Sequence, residues 1–302
     1  MELQPTNDSY DLSNKVVIIT GATGGIGRSL TRMVSSYNPK RLVLPIRNRE
    51  KGEQLLEYVR KSEDGKVECI ELWDIDLADL HSVKRFADKF VNEVGELHYL
   101  WNHAGVFDFA FEKTKDNFEQ QFQVNHLSHF LLTTLLIPTM KKSATPESPC
   151  KINFTGSDTM KLGKIEFDNL NGEKNSWFVQ LHADSKLMNV VYSTELNRLY
   201  KGSNIISLTC HPGLVDTNMG NVYPFLEPLK HLFMSTFGLP PDTGAKYILY
   251  PVLKANIDDG GKYFDQYKLV ELTGQAADEE LATKFSEKCE ELLKNFDASI
   301  LG

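Results

Sequence analysis

The chain has 302 residues, 41% of them hydrophobic, and 33 lysines and arginines against 41 aspartates and glutamates give a net charge of -8. That balance opposes broad nucleic-acid binding, which draws on clustered basic side chains, and favours a small-molecule partner. Cys69, Cys150, Cys210 and Cys289 are scattered, with no Cys-x-x-Cys pair and no histidine at metal spacing, so neither a metal site nor a disulfide framework is expected.

In chain order, residues 1–14 read as a polar N-terminal extension without the basic region and apolar core of a secretory signal. Short β-branched runs then alternate with longer amphipathic stretches. Strands are expected at 16–19, 41–46, 67–72, 99–102, 151–154, 205–210 and 261–264, and helices at 28–35, 50–61, 80–94, 116–140, 185–199, 242–250 and 278–295. No linker, repeat or low-complexity tract divides them. One domain over 1–302 is expected, a Rossmann-type doubly wound α/β fold on a parallel sheet of about seven strands. No apolar run reaches the roughly 18 residues of a membrane span, so a cytoplasmic or peripherally membrane-associated protein is expected.

The first strand runs into Thr20-Gly21-Ala22-Thr23-Gly24-Gly25-Ile26-Gly27 and then the helix-forming Arg28-Ser29-Leu30. Strand, glycine turn and helix stand in the order that lets backbone N–H groups approach a pyrophosphate at a helix N-terminus.

The spacing Gly-x-x-x-Gly-x-Gly, preceded by threonine, resembles the short-chain dehydrogenase/reductase family. Asn102-His103-Ala104-Gly105 is similar to that family's Asn-Asn-Ala-Gly, Asp76-Leu77 to its adenine-contacting pair, and His211-Pro212-Gly213-Leu214-Val215-Asp216-Thr217 to its Pro-Gly segment beside the nicotinamide. The resemblance covers residues 15 to 270. Val124-Asn125-His126-Leu127-Ser128-His129-Phe130-Leu131-Leu132 and the insertion at 164–174 resemble the retinol-dehydrogenase-like branch, which includes the WW-domain oxidoreductases. The likeness implies dinucleotide contacts at Gly21, Thr23, Gly25, Ile26, Gly27, Asp76, Leu77, Asn102, Ala104, Gly105, Lys186, Pro212, Gly213, Val215 and Thr217.

An acidic residue ending the second strand would bond the adenosine ribose and favour NAD(H). Here that strand ends in Arg47-Asn48-Arg49-Glu50-Lys51, so NADP(H) is expected, with the Arg47 guanidinium gripping the 2′-phosphate.

The resemblance also implies a catalytic tetrad of Asn, Ser, Tyr and Lys, the last two as Tyr-x-x-x-Lys on one helix face. Asn125, Ser157 and Lys186 match. His182 stands where the tyrosine belongs. Histidine is a common acid and base, yet a charged Lys186 nearby disfavours imidazolium and leaves a weak acid.

Two readings stay open. One is an NADP(H)-dependent oxidoreductase interconverting a carbonyl and an alcohol, with His182 or a water replacing the tyrosine. The other is an NADP(H)-binding pseudo-enzyme with a regulatory or binding role.

His103 reads as a hydrogen-bonded structural histidine, with an approach to the nicotinamide pocket as the alternative. The aromatic run 106–111 reads equally as substrate lining or core. Residues 223–241 lie where family members carry a substrate lid, and their apolar and aromatic content fits a lipophilic substrate or a loop that touches a membrane. The amphipathic stretch 278–295 is expected to pack on its own domain, with a dimer contact as the alternative, so monomer and homodimer both stay open.

Overall fold

The computed structural model describes residues 10–174, 177–215 and 238–302. In β1 (Val16–Ile19) every side chain is buried, with Val16 and Ile18 facing one core and Val17 and Ile19 the other. A strand covered on both faces belongs in a parallel sheet sandwiched by helices. Each such side chain contributes about 1.5–3 kcal/mol of burial.

The chain continues through α1 (Gly25–Ser36), β2 (Arg41–Ile46), α2 (Arg49–Lys61), β3 (Ile70–Asp74), α3 (Leu80–Glu93) and β4 (Tyr99–Asn102). A short helical turn at Gln120–Phe122 leads through a π-turn, Gln123–Leu127, into α4 (Ser128–Ser143). Then come β5 (Cys150–Thr155), α5 (Phe178–Leu199), β6 (Ile205–His211), α6 (Pro241–Lys254), β7 (Tyr263–Asp265), β8 (Lys268–Val270) and α7 (Glu279–Phe296).

The strands join in one sheet of order β3-β2-β1-β4-β5-β6-β7-β8, parallel until β8, which runs antiparallel to β7. Helices α1, α2 and α6 bury Leu30, Leu55 and Ile248 against one face, while α3, α4, α5 and α7 bury Phe86, Leu131, Val191 and Phe285 against the other. The strand order reverses between β1 and β4. That reversal opens the crevice at their carboxyl ends where a doubly wound fold receives its ligand.

The doubly wound parallel α/β fold is as expected, with corrections of detail. The third strand begins at Ile70, because pairing with Leu42 of β2 sets its start, and Val67 instead closes the turn before it. The helix expected at 116–140 is broken by the π-turn and then runs past Pro138 to Ser143. Helix α5 starts at Phe178, since Leu181 and Ala183 add to its buried face, and so carries His182 within it. Helix α6 runs past Pro251 to Lys254.

The strand expected at 261–264 is Tyr263–Asp265, and β8 was not anticipated. Of the expected extension, residues 10–14 dock on the domain, with Leu12 buried and its N–H donating to the Tyr37 carbonyl at 2.9 Å. The C-terminal stripe of α7 packs within its own chain, burying Phe285, Cys289 and Leu293. Among the described residues no helix is long and apolar enough to cross a membrane.

Candidate active site

The glycine turn follows β1. Gly21 holds φ +70, and a Cβ there would lie 2.7 Å from the Ala104 Cα; one on Gly27 would lie 2.1 Å from the Gly21 carbonyl oxygen. Glycine is required at both positions by backbone geometry. The Thr20 hydroxyl oxygen accepts the N–H groups of His103 (2.9 Å) and Ala104 (3.0 Å), which binds the end of β1 to the end of β4.

Helix α1 begins after Gly24 with no side-chain cap and no acidic residue in its first turn. Helices α2, α3 and α7 are capped by Asn48, Asp79 and Asp278. The uncapped N–H groups of Gly25, Ile26 and Gly27 therefore fit a pyrophosphate, which would satisfy them and meet the positive end of the helix dipole. Thr23 sits half-buried at the tip of this turn.

Arg47 is exposed just after β2 and has no hydrogen-bond or ion-pair partner among the described residues, whereas Arg49 pairs with Glu53 at 2.9 Å. Burial raises the pKa of the Asp108 carboxyl, and the hydrogen bond that it accepts from the Gln120 amide (2.9 Å) opposes that shift. After β3, the Asp76 carboxylate accepts the Ala78 N–H (2.9 Å), and the buried Leu77 offers its carbonyl to the Ser128 hydroxyl (2.6 Å).

After β4, Asn102 donates to the Thr133 hydroxyl (2.9 Å). His103 is buried and its Nδ1 lies 2.9 Å from the Thr155 hydroxyl, so it is hydrogen-bonded into the core as expected, with burial lowering its pKa to about 4. After β6, Pro212 is buried and Gly213 takes φ +79, while Val215 bridges to Leu239. Thr217 and residues 223–237 of the expected lid lie outside the described residues.

The structure brings Asn125 and Lys186 together. Asn125, in the π-turn, accepts the Val106 N–H (2.7 Å) and donates to the Val106 carbonyl and the Ser185 hydroxyl (3.0 Å each). A Cβ on Gly105 would sit 3.2 Å from the Asn125 Oδ1 and 3.6 Å from the Lys186 Nζ, so the glycine leaves room for both. The Lys186 ammonium donates to the Thr155 carbonyl (3.0 Å), and burial lowers its pKa to about 8.

Ser157 follows β5 two residues after Thr155, half-buried, its hydroxyl oxygen accepting from the Thr159 side chain at 2.9 Å. His182 lies one helical turn before Lys186. Its ring is 4.9 Å from that of Phe107, edge to face, and its buried Nδ1 has no partner. Burial, then the Lys186 charge, push its pKa down to about 3 against an opposing backbone hydrogen bond at Val106.

Phe107, Phe109 and Phe178 form an aromatic cluster beside His182, with ring centroids 4.7 to 5.6 Å apart. The sequence assigned no role to Thr155 and Phe178 and marked Thr20 only as the threonine before the glycine turn. Only Thr20 had a local signal, standing directly before the first glycine.

Residues 15–224 match the family described as short chain dehydrogenase. The chain is 34% identical over 288 residues to retinol dehydrogenase 14 of Homo sapiens, covering 90% of this chain and 84% of that protein. It is 34% identical over 277 residues to retinol dehydrogenase 12 of Homo sapiens, covering 91% and 85%. The crystal structure of an uncharacterized protein from Mycobacterium paratuberculosis superposes with a TM-score of 0.74 at 27% identity, covering 94% of this chain and 95% of that one. The NADPH-bound carbonyl reductase from chicken fatty liver shares the fold, with a TM-score of 0.64 at 19% identity and coverage of 87% and 100%.

Proposed function

The chain belongs to the short-chain dehydrogenase family, and we propose that it is an NADP(H)-dependent oxidoreductase interconverting a carbonyl and an alcohol on a lipophilic small molecule. The observation that carries this reading is Lys186, an ammonium buried beside Asn125 and Gly105 and held by the Thr155 carbonyl. Burying this cation against a neutral carbonyl costs stability, and groups buried in a crevice with pKa values shifted in this way cluster at functional sites. Retinol dehydrogenases among the relatives act on an alcohol by their names, and the aromatic cluster beside His182 suits an apolar substrate.

Bound along the glycine turn, the dinucleotide would supply or accept the hydride. Lys186 orients the site by its charge. The Ser157 hydroxyl, and the His182 ring in the tautomer with its hydrogen on the unpartnered Nδ1, offer hydrogen bonds to the oxygen on which charge grows. With a pKa of about 3, His182 is neutral at pH 7; it offers a hydrogen bond rather than a proton, and the proton is drawn from water.

A second reading rests on that same residue. His182 is buried edge-on against Phe107 with an unpartnered nitrogen, as fits a protein that binds NADP(H) without ordinary turnover. The test is NADPH oxidation with a panel of apolar aldehydes and ketones, comparing the native chain, His182→Ala and His182→Tyr. The enzyme reading expects native turnover, with a loss of about tenfold in His182→Ala, the size of one hydrogen bond. Turnover in the tyrosine variant alone, or NADPH binding with no turnover in either the native chain or that variant, favours the pseudo-enzyme.

For the cofactor, Arg47→Asp is expected to weaken NADPH binding by roughly 10- to 100-fold, the range of a charge-assisted contact of about 1.5–3 kcal/mol. NADH binding should change less than about threefold. Fluorescence titration of both cofactors decides it, and equal losses remove Arg47 from the 2′-phosphate.

A further inference from the structure

The geometry assigns His129 a positioning role: bridging the Asn125 carbonyl and the Thr20 hydroxyl, it fixes the active-site π-turn against the glycine turn. The assignment rests on the reading above, in which these two turns are halves of one cofactor site.

His129 is fully buried in the first turn of α4. Its Nδ1 lies 3.1 Å from the Asn125 carbonyl oxygen and its Nε2 lies 3.0 Å from the Thr20 hydroxyl. The carbonyl can only accept, so Nδ1 carries the hydrogen. Burial keeps the ring neutral, its pKa lowered to about 3, with the Asn125 hydrogen bond opposing and the Lys186 charge acting in the same direction as burial. The remaining nitrogen therefore presents a lone pair, and the Thr20 hydroxyl must donate to it.

That donation orients the hydroxyl oxygen so that both its lone pairs receive the N–H groups of His103 and Ala104. One tautomer satisfies every group. Without His129 the hydroxyl would turn to its other acceptor, the Trp101 carbonyl at 3.3 Å, and the two N–H groups would meet a misdirected oxygen.

The far side is ordered the same way. The Asn125 carbonyl also accepts from the Asn189 amide (3.0 Å), whose oxygen accepts from His126 Nδ1 (3.0 Å). The His126 Nε2 then accepts from the Cys289 thiol of α7 at 3.6 Å. A single arrangement of hydrogens thus runs from the C-terminal helix through the π-turn to the glycine turn, and His129 is its last link. Among the described residues no backbone hydrogen bond joins α4 to the glycine turn; this ring links them directly, while the Asn102 to Thr133 bond (2.9 Å) links α4 only to the end of β4.

Three variants test the assignment: His129→Leu removes both bonds, His129→Gln keeps a donor and an acceptor, and His98→Leu is the control. His98 is also buried, but accepts the Val16 N–H (3.1 Å) at the opposite end of the sheet. The measurements are amide exchange at His103 and Ala104, NADPH affinity by fluorescence, and thermal unfolding.

His129→Leu is expected to speed exchange at both amides and to weaken NADPH binding, each by about tenfold, the size of one net hydrogen bond. His129→Gln should return both to within about threefold. His98→Leu should lower the unfolding temperature comparably and leave both within about twofold. If His129→Leu fails to fold, His129→Met, which also removes both bonds but has a flexible apolar side chain that adapts to the space, should give the same two changes.

The assignment is overturned if His129→Leu leaves the amides at native rates, or if His98→Leu moves them equally. Should the native chain bind no NADPH, the functional reading falls, while the exchange measurement alone still decides the role of His129.

Discussion

Replacing Lys186 by methionine is expected to cut turnover of any carbonyl the native chain reduces by about 10²–10³-fold, the loss typical of removing one preorganised donor from a developing charge. Methionine fills the stem of the lysine, and the lost ammonium leaves only the Thr155 carbonyl without that partner. Because a buried cation is itself a burden, folding should not suffer.

The pH dependence carries the same signature. Burial lowers the Lys186 pKa from 10.5 to about 8. Between those values the unfolded chain holds the extra proton, so the Lys186 contribution to native stability rises with pH across the window and is lowest where both states are protonated, below about 8, against the opposite slope of the Cys150, Cys210 and Cys289 thiols, whose pKa values burial raises. In the methionine variant this slope is reduced; Lys151, whose pKa burial also lowers to about 8, keeps its own share at the other end of β5. Native turnover should likewise fall above about pH 8 as the ammonium discharges, with no limb near the ordinary histidine value of about 6.5, since His182 is already neutral there. Steady-state NADPH oxidation and denaturation midpoints at pH 7 and pH 10 check both parts. Turnover within threefold of native in the variant would remove Lys186 from the reacting site.

The parts of this site that were legible in the sequence are those whose cause is local. Gly21 and Gly27 are glycines because the backbone passes within contact distance of itself, a demand written at fixed spacing. The strands were legible because Val16-Val17-Ile18-Ile19 must be buried on both faces. His182 and Lys186 share a face because they are one turn apart.

What escaped depends on partners distant in sequence or on unmarked backbone. His129 meets Thr20 across 109 positions, and no pattern around either residue announces it. The π-turn at Gln123–Leu127 adds one residue to a helical run without disturbing its apolar content. Strand β8 follows a tight turn whose left-handed residue is Gln266, φ +59, where glycine or asparagine would have signalled it. Helix α5 begins seven residues before the stretch expected to be helical, because Leu181 and Ala183 are buried and Phe178 packs on Phe107 and Phe109, partners distant in sequence.

The glycine turn yields the second large effect. In Gly27→Ala the new methyl would lie 2.1 Å from the Gly21 carbonyl oxygen and 3.0 Å from the Ala22 Cα. Both neighbours are backbone, and Thr20 ties the same segment to His103 and Ala104, so the turn must open for the methyl to fit. Overpacking of this kind costs about 1–3 kcal/mol, which for a domain of this size lowers Tm by about 2–5 °C.

Opening the turn also pulls the N–H groups of Gly25 and Ile26 away from a common focus. NADPH affinity is therefore expected to fall further than stability, by about 100-fold or more, since several charge-assisted bonds to phosphate are lost together. Gly24→Ala is the contrast: its φ is -84, and its methyl would meet only the Gly21 carbonyl oxygen, at an ordinary 3.7 Å. That variant should keep its stability within about 0.5 kcal/mol, or gain slightly from a stiffer unfolded chain. Thermal unfolding and fluorescence titration of the two variants side by side separate backbone crowding from the loss of any glycine; equal behaviour would mean that the close approach at Gly27 does not govern the turn.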